Sequence, residues 1–185
     1  MLLTLQSEKE MFKLESRRKV YNLVKKFSGC NFHELERKSN IPLGTIKYHL
    51  DYLAKHKVIE IQRDGNKLRY FPTEITSNNK KLLVLLRQRT IRNILLYSIN
   101  HKECQQKEII DFTQLAHSTV SWYLARLVKD NILSLTSKPT GLYYSLLVNK
   151  SEILSLLITY KESFFDNLVD QTIEMWSGYG DKNKQ

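Results

Sequence analysis

The sequence predicts a mainly α-helical protein with small β-hairpins, built from two copies of one compact unit followed by a long C-terminal helix. Three observations carry that expectation. The 185 residues include only 6 Gly and 3 Pro while 42% are hydrophobic, a composition that favours helices around a core over sandwiches, barrels or Gly-rich phosphate loops. Apolar positions recur in register when the chain is shifted along itself by 74 residues, the mark of a duplicated unit. Within each copy the apolar period then changes from 3.6 to 2, from helices to paired strands.

The shift needs no gap. It places Arg18 on Arg92, Glu34 on Glu108, Thr45 on Thr119, Leu50 on Leu124, Leu53 on Leu127, Leu68 on Leu142 and Tyr70 on Tyr144. The first helix of copy one runs from residue 8 or 14 to 28, with Val20, Leu23, Val24 and Phe27 on one face; its counterpart spans 81–99. A short second helix follows at 32–38, or 106–112, and then a turn at 39–42, or 113–116. In the third helix, 44–55, Ile46, Leu50 and Leu53 form a stripe that faces the core and leaves Thr45, Lys47, Tyr48, Asp51, Tyr52 and Lys55 pointing outward. Strands at 58–63 and 67–72 flank an Asp64-Gly65-Asn66 turn, and copy two repeats them at 132–137 and 142–147. Three helices and a hairpin, with a short helix-turn-helix in the middle, make a winged helix.

These residues carry a specific resemblance. The stretch from Phe32-His33-Glu34-Leu35, through Gly44-Thr45-Ile46-Lys47-Tyr48-His49-Leu50, to Gly65-Asn66-Lys67-Leu68-Arg69-Tyr70-Phe71-Pro72 resembles winged helix-turn-helix domains of the broad MarR/ArsR-like class. The tandem copies are similar to archaeal transcriptional regulators with two such domains. The resemblance covers residues 15–148 and implies a DNA-binding protein that acts in transcription regulation. Copy two departs from the pattern in its wing, where Pro139 and Gly141 stand in place of basic positions. The chain then divides into a first domain over 8–74, a linker over 75–81, a second domain over 82–148, a dimerisation helix over 149–177 and a flexible tail over 178–185.

Charge is unevenly distributed. The chain carries 29 Lys+Arg against 19 Asp+Glu, a net +10. Residues 17–72 hold 13 Lys/Arg against 5 Asp/Glu, residues 87–148 hold 8 against 4, and residues 149–185 hold 4 against 6. Such segregation suits a surface that meets phosphates and releases counterions. The family's recognition helix enters the major groove, which implies that Thr45, Lys47, Tyr48, Tyr52 and Lys55 contact DNA in copy one. Arg63, Lys67 and Arg69 of the wing would grip the backbone or minor groove. The copy-two counterparts are Ser118, Thr119, Ser121, Trp122 and Arg126, with Arg126 suited to a bidentate guanine contact. Trp122 alternatively packs against a neighbouring wing or subunit. His49, beside the core stripe, reads as structural.

Cys30 with His33 and His101 with Cys104 have spacings that would supply four zinc ligands, but the pairs lie in separate copies and lack the tight thiolate pair of a structural site. Two ordinary thiols are the expectation, with no metal and no cofactor. No phosphate loop, His-Glu-x-x-His or Gly-x-Ser-x-Gly motif occurs, so no enzyme is expected. No run of 18 apolar residues and no secretory signal is present, which predicts a cytoplasmic protein without a membrane partner. From 151 to 176 the apolar residues, among them Leu157, Phe164, Phe165, Leu168 and Trp176, form one stripe along a helix of roughly 39 Å. That stripe predicts a homodimer, the alternative being that the helix folds back on its own chain. Two other functions share the fold: a sequence-indifferent chromosome-organising protein and a winged-helix protein-protein scaffold.

Overall fold

The structure, a computed structural model, describes residues 13–164. It is mostly helical with two small antiparallel sheets, and divides between Val84 and Leu85 into two compact units.

In the first unit, α1 (Glu15–Lys26) buries Val20 and Val24, with Phe27 packed just beyond its end. Glu15 in its first turn and Lys25 and Lys26 in its last oppose the helix dipole favourably. A two-residue strand β1 (Cys30–Asn31) leads into α2 (Phe32–Lys38), which a capping box starts: Glu34 N–H donates to Asn31 Oδ1 at 3.0 Å, and Asn31 N–H donates to the Glu34 carboxylate at 2.8 Å. Helix α3 (Leu43–Lys55) opens at Pro42, whose carbonyl accepts from Thr45 and Ile46 N–H. It buries Ile46, Leu50 and Leu53, the expected stripe, together with His49. Strands β2 (Ile59–Asp64) and β3 (Lys67–Pro72) form the hairpin, with Asp64 opposite Lys67 across a two-residue loop. Gly65 takes φ 58° there, the left-handed conformation such a loop needs. The sheet order is β1-β3-β2, and Val20, Val24, Leu35, Ile46, Leu50, Leu53 and Ile59 share one core.

Helix α4 (Ser77–Leu86) starts where Thr76 Oγ1 accepts from Asn79 N–H, so most of the stretch read as a linker, 75–81, opens a helix. The single helix read at 81–99 is two: α4 ends at Leu86 and α5 (Arg89–Asn100) begins after Gln88, which is extended. The physical reason is a capping contact inconspicuous in sequence, in which the buried Arg92 guanidinium donates to the Leu86 carbonyl at 2.6 Å.

The second unit continues with β4 (Cys104–Gln105), α6 (Gln106–Thr113), α7 (His117–Lys129), β5 (Leu133–Lys138) and β6 (Gly141–Leu146), its sheet ordered β4-β6-β5. Its register repeats that of the first: Cys30 faces Tyr70, and Cys104 faces Tyr144. Its core holds Ile94, Ile109, Val120, Leu124, Leu127 and Leu133.

Helix α8 (Lys150–Thr159) is capped by Asn149 and ends at Tyr160, after which residues Lys161–Ser163 form one 3₁₀ turn. The long helix read over 149–177 is therefore broken at 160. Apolar spacing lapses there, between Ile158 and Phe164. Leu157 and Phe164 are buried within their own unit, Phe164 with the Arg92 guanidinium 5.3 Å from its ring centroid. Both side chains, from the stripe read as dimer contacts, are thus enclosed in the single chain. Phe165, Leu168 and Trp176 lie outside the described residues.

Candidate nucleic-acid interface

Helix α3 turns one face inward and leaves Leu43, Lys47, Tyr48, Asp51 and Lys55 exposed, Tyr48 to 59%. Thr45 is half-buried at the first turn. Across from this face stands the β2–β3 hairpin, with Arg63 and Lys67 exposed. Between helix and hairpin lies a cleft of about 440 Å³, whose floor includes Leu50, Ile61 and Tyr70 and whose rim includes Lys47, Asp51 and Lys67. Burial first, and then the Asp51 carboxylate, raise the Tyr70 phenol above its ordinary pKa.

Two residues read as DNA contacts are placed otherwise. Arg69 is 6% exposed: its Nη2 and Nε donate to Asp64 at 3.0 and 3.1 Å, Nη1 donates to the Gly29 carbonyl at 3.2 Å, and Glu34 lies 3.7 Å away. It ties the wing to α2, and its guanidinium is largely withdrawn from solvent. Arg69 lies on the face of β3 opposite Leu68, and its neighbours Gly29 and Glu34 come from outside the strand, where strand spacing does not show them. Tyr52 is half-buried, with the Arg17 guanidinium 3.5 Å from its ring centroid, and so braces α3 on α1.

His49 is 3% exposed, and its Nε2 meets Ser16 Oγ at 2.7 Å. Burial, and secondarily Arg17, lower its pKa below 6.5. Above pH 6.5 both folded and unfolded chains hold this imidazole neutral. As pH falls below 6.5 the unfolded chain takes the proton first, so stability declines toward the lower folded pKa. Thermal unfolding at pH 7.5, 6.5 and 5.5 should therefore show a falling Tm that His49→Gln flattens; an equally steep fall in the variant would refute that role.

In the second unit, α7 exposes Ser118, Ser121 and Trp122, the last also to 59%, and leaves Thr119 half-buried. Arg126 is half-buried, with Nη1 donating to Gln88 at 3.3 Å and Nε 3.8 Å from Asp130. Its guanidinium lies along its own unit and keeps about a third of its side-chain surface exposed. Where the first unit has Lys47, Asp51 and Lys67, the second has Ser121, Ala125 and Gly141, and its hairpin exposes Leu135 and Leu142. Asp51, Asn31, His33 and Asn66 also line the cleft and were not among the candidate residues of the sequence. Cross-strand register sets Ile61 and Leu68 on one hairpin face, and both line the cleft with α3 residues Lys47, Leu50 and Asp51.

Cys30 and Cys104 are buried, and no disulfide joins them. His33 turns outward to Glu36 and His101 stacks on Tyr97, and among the described residues no group of three His, Cys, Asp or Glu is placed to hold a metal. No described helix is long and apolar enough to cross a membrane.

Residues 14–83 match a family model described as HTH_HVO_0163_N, N-terminal HTH domain. An uncharacterized HTH-type transcriptional regulator of Methanocaldococcus jannaschii, MJ1398, is 29% identical over 151 residues, 80% of this chain and 37% of its own length. The chain thus spans little more than a third of that curated relative. Among solved structures, HlyU from Vibrio cholerae aligns over 47% of this chain and 97% of its own, with 22% identity and a TM-score of 0.40. Human N-acetylserotonin methyltransferase in complex with SAM aligns over 70% of this chain and 42% of its own, with 11% identity and a TM-score of 0.29.

Proposed function

We propose that the chain is a DNA-binding transcriptional regulator of two tandem winged helix-turn-helix domains, in which the first domain reads the duplex. The observation that carries this reading is the α3 face of Lys47, Tyr48, Asp51 and Lys55 set beside a hairpin bearing Arg63 and Lys67, within the segment that matches the HTH family. Helix α3 enters the major groove. Its lysines meet phosphate or guanine, Asp51 accepts from a cytosine amino group, and Tyr48 packs on a thymine methyl. Arg63 and Lys67 close on the flanking backbone. The HTH-type regulator of M. jannaschii supports the same function.

A second reading applies to α7. Trp122, Ala125, Leu135 and Leu142 make an exposed face without the cations of the first unit, which favours protein contact there over base reading. Tyr48→Ala is expected to lower affinity for a selected site by about tenfold, about 1.4 kcal/mol, and Trp122→Ala by less than about threefold. Equal losses in a fluorescence-anisotropy titration would assign DNA contact to both helices.

Selection of bound sequences from a random duplex pool tests the regulator itself. Enrichment of a motif is the expected result, with a palindrome if two chains bind together. An unenriched but bound pool would replace this reading with sequence-indifferent DNA organisation.

A further inference from the structure

We infer that the first unit carries a second phosphate-binding surface, in a cleft between α1 and the turn after α2, where Lys19, Lys26 and Lys38 converge on the sugar-phosphate backbone of nucleic acid. The inference rests on the reading of the chain as DNA-binding and adds a contact separate from α3 and the hairpin.

On α1 the core-facing residues are Val20 and Val24, whereas Lys19, Asn22 and Lys26 fall at i, i+3 and i+7 along one flank. That flank faces Lys38, Ser39 and Asn40 across a cleft of about 420 Å³. The Lys38 ammonium stands 4.1 Å from the centroid of the buried Phe27 ring, and that of Lys26 stands 5.6 Å from it. One buried ring thus gathers two ammonium groups at the cleft by cation–π attraction. Lys19 pairs with Glu15 at 2.7 Å, but both groups are mostly exposed, so the pair is weak enough for an incoming phosphate to displace. Asn22 and Asn40 add neutral donors.

Comparison with the second unit shows that the fold does not need these cations. The positions 74 residues on from Lys19, Lys26 and Lys38 are Asn93, Asn100 and Phe112. The three lysines belong to the unit that also carries the cationic hairpin cleft, and they lie elsewhere on it. The hairpin cleft is lined by residues 31–33 at the start of α2, and the lysine cleft by residues 38–41 at its end. A seven-residue helix separates those ends by about 10 Å, a distance that places them on different phosphates. Arg18, Lys25 and Arg37 stand exposed on the same two helices and extend the positive potential.

The test uses the full chain and a duplex of about 30 base pairs, three turns at about 10 base pairs each. Binding of the wild type and of Lys19→Gln/Lys26→Gln/Lys38→Gln is measured between 50 and 200 mM salt. Each lost phosphate contact should remove about 0.9 from the slope of log K against log salt, up to about 2.7 for all three. The affinity loss should be equal on selected and random sequences, with the enriched motif unchanged. The corresponding Lys→Arg triple variant should retain the wild-type slope. If the Gln triple variant unfolds, the three single Gln variants carry the test, each expected to lower the slope by about 0.9. A wild-type slope in folded Gln variants would overturn this inference and leave the proposed function standing. Absence of duplex binding by the wild type would overturn both.

Discussion

Replacing Lys47 and Lys67 together with glutamate should lower duplex affinity by about 100-fold or more, at about 1.5–3 kcal/mol for each charged hydrogen bond lost. Both side chains are exposed and stand on opposite rims of the hairpin cleft. A phosphate entering there meets one cation from α3 and one from β3, and the substitution exchanges two attractions for two repulsions in a site that already holds Asp51. The same exposure means that folding does not depend on them, so thermal unfolding should match the wild type. Anisotropy titration together with a melting curve separates the outcomes. Undiminished affinity in a folded variant would remove the α3–hairpin face from the account.

The second large effect falls on stability. Arg69→Met should destabilise the first unit by about 3 kcal/mol, the low end of what a broken buried pair costs because both carboxylates are partly solvated. Asp64 and Glu34 keep side-chain exposures of 29% and 25%, against 7% for Arg69. Without the guanidinium, the Gly29 carbonyl also loses its donor and the hairpin loses its tie to α2. A fall in Tm of the order of 10 °C or more should follow. Lys67 and Arg69 lie on the same face of β3, but Lys67 is exposed beside the turn and Arg69 is buried, so the two should give opposite results, Lys67 in binding and Arg69 in folding. Lost affinity with an unchanged Tm in Arg69→Met would return Arg69 to the DNA face.

The first unit was largely legible in the chain because its core residues fall at strict helical and strand periods. Ile46, Leu50 and Leu53 define α3, and the Asp64-Gly65-Asn66 turn defines the hairpin. Other features depend on tertiary contacts that periodicity does not encode. β1 is only two residues long and exists because Cys30 pairs with Tyr70. The break between α4 and α5 depends on Arg92 reaching the Leu86 carbonyl, and the apolar run Leu82, Leu83, Leu85 and Leu86 suppressed any sign of it. Charge and helical phase alone do not distinguish a cation in solvent from one committed to Asp64, as Arg69 is, or a tyrosine in a groove from one under Arg17, as Tyr52 is. Likewise, an apolar stripe does not tell from its spacing that Leu157 is buried inside its own unit.

The central claim is that the first unit holds duplex DNA through phosphate contacts from exposed cations, and the direct measurement is the affinity of the full chain for duplex DNA as a function of salt. The account predicts tight binding at low salt and a linear fall of log K with log salt. Lys47, Lys55, Arg63 and Lys67 alone would give a slope of about −3.6 at about 0.9 per phosphate, steeper still if the lysine cleft contributes. No binding at low salt, or an affinity indifferent to salt, would contradict it.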